Sequence, residues 1–217
     1  MLPSQIRTDS GGATEEILNS ITHAVGAGLS IACLIVLLLL SGRDPSVWKY
    51  VGFSIFSVSQ ILTFLASALT HGFSARPPIR RKLSFLDFSS IYILIAGTYT
   101  PVCLIALRGN WGWTVFGIMW GLAAVGIVLR IVFFNRLRLI ANLMFLVMGW
   151  LVLIVLRPLI LATSMRFVIW ILSAGAWFTL GFIFFMWRKL PFSHIIWHLA
   201  VIGGSMTFTV AFAIHLA

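Results

Sequence analysis

Two histidines stand four residues apart near the start of the last apolar stretch, in Pro191-Phe192-Ser193-His194-Ile195-Ile196-Trp197-His198. On a helix that spacing stacks both rings on one face, one turn apart. Their neighbours Ile195, Ile196, Trp197, Leu199 and Ala200 neither solvate nor pair an imidazole, so the rings need another partner. A metal ion is the leading candidate. The alternative is a histidine pair at a helix N-terminus, bonded to lipid headgroups or to nearby carbonyls. Of only five acidic residues, Asp87 alone falls at an apolar stretch, among Phe85, Leu86, Phe88 and Ile91. An ionisable group in such a place is a functional candidate by default. His71, with Ser67 four residues before it on the same helical face, completes the set.

The elements that must position these residues are membrane helices. The chain has 217 residues, 60% hydrophobic and 9% charged, with mean hydropathy +1.06. Continuously apolar runs of the roughly 20 residues needed to cross a bilayer recur along it. Their lack of alternation excludes strands. Seven spans are expected, at 17–41, 47–71, 86–107, 112–134, 139–156, 164–187 and 192–216. A short polar segment, 1–16, precedes a single seven-helix membrane domain, 17–217. The first run lacks a basic flank and is long for a signal peptide, so it is expected to stay as a span. The net charge of +10 does not point to nucleic acid, because the fifteen Lys and Arg lie in connections between spans, where they set topology and meet lipid phosphates.

Those basic residues orient the bundle. One side holds Arg7, Arg76, Arg80, Arg81, Lys82, Arg130, Arg136, Arg138, Arg188 and Lys189, ten in all. The other holds five: Arg43, Lys49, Arg108, Arg157 and Arg166. The positive-inside rule then puts the N-terminus in the cytoplasm and the C-terminus outside. This is opposite to a G-protein-coupled receptor, and the last span has no lysine for a retinal. With this topology His71, Asp87, His194 and His198 all reach the cytoplasmic face. Three imidazoles and a carboxylate at one depth resemble a catalytic zinc site, which takes three protein ligands and keeps a fourth position open. Iron is the runner-up for such donors.

Competing structural roles stand beside these. Ser84-x-x-Asp87 has capping-box spacing at the expected start of the third span. Ser67 could instead bond the carbonyl one turn back. His23, with Asn19 and Glu16 one and two turns before it, is read as a core histidine, with a fourth-ligand or supporting role as the alternative. His215 lies at the far end and is excluded. Gly117-x-x-x-Gly121, Gly26 with Gly28, and Gly203-Gly204 suggest close helix approach, Pro101 predicts a kink, and Cys33 and Cys103 are expected as free thiols.

Four stretches together resemble the hemolysin III family, the bacterial branch of a superfamily with the progestin and adipoQ receptors and the alkaline ceramidases. They are Glu15 through Gly26, Ser67-x-x-x-His71, Asp87 with Ile95 through Pro101, and His194-Ile195-Ile196-Trp197-His198. Thr70 departs from the Tyr usual before the histidine, and the last helix is plain after Met206. The resemblance implies a cell-membrane protein holding Zn2+ on His71, His194 and His198, with Asp87 and Ser67 beside the zinc's water.

The function expected is a zinc-dependent hydrolase of a lipid amide or ester, with Asp87 as base and Ser67 placing substrate. The alternative is a non-enzymatic lipid-sensing or membrane-homeostasis protein with a structural zinc. A pore-forming cytolysin fits less well, since seven apolar spans with a single intramembrane acid look like a resident membrane protein, and so does a proton-coupled transporter, since the outer half holds almost no ionisable groups. The charge count makes a topology prediction. A reporter fused at Ala217 should read outside and one inserted between Arg76 and Lys82 should read cytoplasmic; a cytoplasmic reading at Ala217 inverts the orientation.

Overall fold

The computed structural model describes residues 12–133, 137–187 and 189–217. Segment 1–11 and the topology markers Arg7, Arg136 and Arg188 lie outside the described residues. The described chain is all helix: α1 (Gly12–Ser41), α2 (Val47–Gly72), α3 (Pro77–Pro101), α4 (Asn110–Val132), α5 (Arg138–Trp150), α6 (Leu156–Ala162), α7 (Met165–Met186) and α8 (Ser193–His215). A 3-10 turn, Leu151–Val155, joins α5 to α6, so the two make one span. Seven helical stretches are thus long and apolar enough to cross a membrane, as the hydropathy pattern predicts.

Local signals set the ends. Ser46 and Ser164 cap α2 and α7 by accepting from the backbone N–H of Trp48 and Phe167. Pro77 and Pro78 open α3, where a missing N–H costs no helical bond. Pro101 closes α3, and the chain continues through a π-helical turn, Val102–Ala106, which is the break expected there. Helix α3 therefore starts about nine residues earlier than hydropathy suggests, because Arg80, Arg81 and Lys82 are helical despite their charge.

Consecutive helices pack as neighbours from α1 to α4, α3 also meets α5, and α8 packs on both α7 and α1 to close the bundle. The interior is filled by Phe53, Phe56, Phe64, Tyr92 and Phe212, all fully buried. Two tyrosines of α3 fasten the α5 span. The Tyr92 hydroxyl donates to the Ala141 carbonyl at 2.8 Å, and the Tyr99 hydroxyl donates at the Met148 and Gly149 carbonyls while accepting from the Val152 N–H. Those bonds hold the point where α5 gives way to the 3-10 turn.

Glycine spacing predicts the contacts only in part. Gly26 lies against Phe64 and Ile202, and Gly203 and Gly204 lie under Trp177 and Phe178. Gly28, Gly117 and Gly121 face open space, so the GxxxG of α4 makes no contact within the bundle. The close approaches on α4 are instead Gly112, against the Cys103 and Leu107 carbonyls, and Gly126, where a methyl group would overlap the Tyr92 ring. Gly126→Ala should therefore lose about 1–3 kcal/mol from overpacking, whereas Gly121→Ala should be neutral or slightly stabilising. Thermal unfolding of both variants in detergent checks the contrast.

Candidate functional site

Three helix ends meet on one face of the bundle: the start of α1, the end of α2 and the start of α8. At 30 residues α1 is about 45 Å long. This exceeds the roughly 30 Å hydrocarbon core, so its first turns reach the headgroup region. His71 is the penultimate residue of α2, and His194 and His198 occupy the first two turns of α8. Phe192, just before α8, holds a left-handed conformation with φ 57°. A bulky residue there stores strain of about 1–3 kcal/mol, and it sets the turn from which His194 projects.

The three rings converge. One nitrogen of each of His71, His194 and His198 lies within 4.8 Å of the other two. His71 Nε2 and His194 Nε2 are 3.2 Å apart. The second nitrogens of His71 and His198 are anchored by α1. His71 Nδ1 is 2.7 Å from Glu16 Oε2, and since a carboxylate only accepts, that nitrogen carries the proton and Nε2 presents a lone pair. His198 Nδ1 lies 3.3 Å from Thr22 Oγ1. The Thr22 hydroxyl hydrogen is committed to the Leu18 and Asn19 carbonyls, so His198 Nδ1 is the donor here and its Nε2 is also left as a lone pair.

This geometry suits a metal. Ions such as zinc bind imidazole nitrogen at about 2.0–2.1 Å, which sets tetrahedral ligand atoms about 3.3 Å apart, close to the separation of the first two rings. Each fixed ring donates its other N–H to a protein oxygen, as metal-ligating histidines do. The trio could hold a divalent ion with a fourth position left over.

Asp87 and Ser67 come to the same place. The Ser67 hydroxyl and the Asp87 carboxylate interact across the α2–α3 contact, and His71 and Arg130 lie close enough to act on that carboxylate. No oxygen of Asp87 joins the converging donors. The capping role does not hold, because Asp87 lies ten residues after Pro77, well inside α3, and the Ser84 hydroxyl donates to the Arg80 carbonyl. His23 is buried but is not among the converging donors; its ring lies flat on His198, centroids 3.5 Å apart at 17°. His215 packs on Phe167 at the far end of α8.

Two residues were read otherwise in the sequence. Arg130 is no connection cation: it sits inside α4, 2% exposed, its guanidinium 3.8 Å over the Phe88 ring. Glu16 is no flank of a span but a buried residue of α1, bonded to both His71 and Arg80, so Asp87 is not the one acid within a helix. The signal for Glu16 was its spacing, since Glu16, Asn19 and His23 follow one face of an otherwise apolar helix.

Residues 12–209 match the family described as Haemolysin-III related. This chain belongs to that family. It is 43% identical over 200 residues to Hemolysin-3 of Bacillus cereus, covering 91% of each chain. It is 42% identical over 200 residues to Hemolysin-3 homolog of Bacillus subtilis (strain 168), covering 91% of this chain and 93% of the relative. Like other haemolysin-III-related proteins it is a multi-pass protein of the cell membrane. The trio makes a prediction for this member of the family. Elemental analysis of the purified protein should find about one divalent ion per chain, and replacing His71, His194 and His198 together by Ala should remove it.

Proposed function

We propose that this haemolysin-III-related protein is a zinc-dependent hydrolase of a lipid amide or ester, acting at the cytoplasmic end of a single seven-helix domain. The observation that carries the reading is the convergence of three imidazoles with two already fixed tautomers, beside a carboxylate that is not itself a ligand. A zinc ion on His71, His194 and His198 would lower the pKa of water towards about 7 and polarise a carbonyl. Asp87 takes the proton from the attacking water as its oxygen adds to the carbonyl carbon. The carboxyl then returns that proton to the departing nitrogen or oxygen, so an acid and an amine or alcohol leave. Ser67, bonded to Asp87, holds the carboxylate in the direction of the reacting atoms.

Room for a lipid supports the substrate class. An apolar crevice runs between α3, α5, α7 and α8, lined in part by Ile91, Ile95, Phe145, Phe178, Trp197 and Phe208. Ile91 is one turn from Asp87 and Trp197 adjoins His198, so a chain in the crevice would bring its carbonyl to the polar end. The relatives' name denotes lysis of cells, but the packed aromatic interior argues against an aqueous pore through the described bundle. A closed structural metal site would need a fourth protein ligand, and the stacking of His23 on His198 turns that ring away from the role.

Asp87→Asn tests the reading with paired measurements on one purified variant. Asparagine keeps the size and hydrogen bonding but accepts no proton. Zinc content and thermal stability should persist, while release of fatty acid from a membrane lipid extract should fall by about 10²–10⁴-fold, the usual worth of a general base. Unchanged release at full zinc removes Asp87 from the mechanism, and loss of zinc makes it a ligand.

A further inference from the structure

We propose that Glu16 is a positioning residue that sets the ligating tautomer of His71, and that Arg80 decides which atom Glu16 turns toward the ring. The inference rests on the reading of the trio as a metal site. One carboxylate ties three helices: Oε2 of Glu16 on α1 is 2.7 Å from His71 Nδ1 on α2, and Oε1 is 2.5 Å from Arg80 Nη2 on α3. All three groups are largely buried. Each oxygen is engaged separately, so Glu16 cannot swing to ligate a cation without leaving one partner unmet. Arg80 has donors only and His71 Nδ1 meets an acceptor-only group, so the proton stays on Nδ1 and the Nε2 lone pair faces His194.

This arrangement has a signature that simple packing lacks. In Glu16→Gln the single amide oxygen is claimed by Arg80, which can only donate. The amide NH2 then faces His71 Nδ1, which must accept; the ring proton moves to Nε2, and that nitrogen no longer binds a cation. The ligand is present but in the wrong tautomer. Adding Arg80→Gln in the same chain removes the conflict, because the new carboxamide at position 80 accepts from the amide NH2 at position 16 and lets the amide oxygen there return to His71. A second substitution that removes another charge should therefore restore what the first one lost.

The experiment uses the full-length protein in detergent micelles, with zinc affinity measured by competition against a chelator and cobalt absorption reporting the ligand set. The wild type should bind zinc; E16Q should bind about 10–100-fold more weakly, the usual cost of losing a carboxylate behind a ligating histidine. E16Q/R80Q should recover most of that loss and regain the wild-type cobalt spectrum, with folding of each variant checked by gel filtration. Wild-type affinity in E16Q, or a folded double variant no tighter than E16Q, overturns the proposal. Where E16Q alone does not fold, the double variant decides: zinc affinity within about tenfold of wild type supports the proposal, and weaker binding overturns it. A wild type that binds no zinc overturns the underlying reading of the trio itself, before any variant is compared.

Discussion

Three imidazole nitrogens face one another at one end of an otherwise apolar bundle, and the rest of the structure is arranged around that contact. Two ring nitrogens 3.2 Å apart cannot both be protonated without repulsion, and two lone pairs at that distance repel unless a proton or a cation lies between them. In water the rings would turn away. Here each is held from behind: His71 by Glu16, His198 by Thr22, and His194 by the strained turn at Phe192 that starts α8. The cost of the convergence is carried by hydrogen bonds on the outward side of the rings.

That requirement explains why the first and last helices meet. α2 and α8 bring the histidines, but the partners of His71 Nδ1 and His198 Nδ1 both come from α1. Closure of the bundle between α1 and α8 is therefore part of the site as well as of the fold. The tyrosine bolts from α3 to α5 do related work on the other side. They fix α3, whose N-terminal half carries Arg80 toward Glu16 and, two turns on, Asp87 toward Ser67.

Apolar periodicity made the seven spans legible, because a bilayer demands long uninterrupted helices whatever their packing. The histidine set was legible for a different reason: alternating spans force residues at successive helix ends onto one face, and ring type marks which of them can ligate. What pairs with those rings was not legible. Glu16 and Arg80 are 64 residues apart, and both sit in stretches where charge reads as a span's edge. Arg130 misled for the same reason. A guanidinium at a span's end is ordinarily read as a connection, and burial over Phe88 beside Asp87 appears only once α4 is placed against α3. The α4 glycines show the converse limit, since small residues permit close approach without stating that a partner helix is there.

Charge balance narrows what the site can hold. Two carboxylates near the trio face guanidinium groups, Glu16 in direct contact with Arg80 and Asp87 close enough to interact with Arg130. No carboxylate oxygen joins the converging donors, which disfavours a hard cation such as Ca2+ or Mg2+ that binds through several oxygens. What is offered instead is neutral nitrogen in a preset geometry, the donor type that suits zinc and its transition-metal neighbours. Selectivity on this view comes from the tautomers held on α1 rather than from net charge.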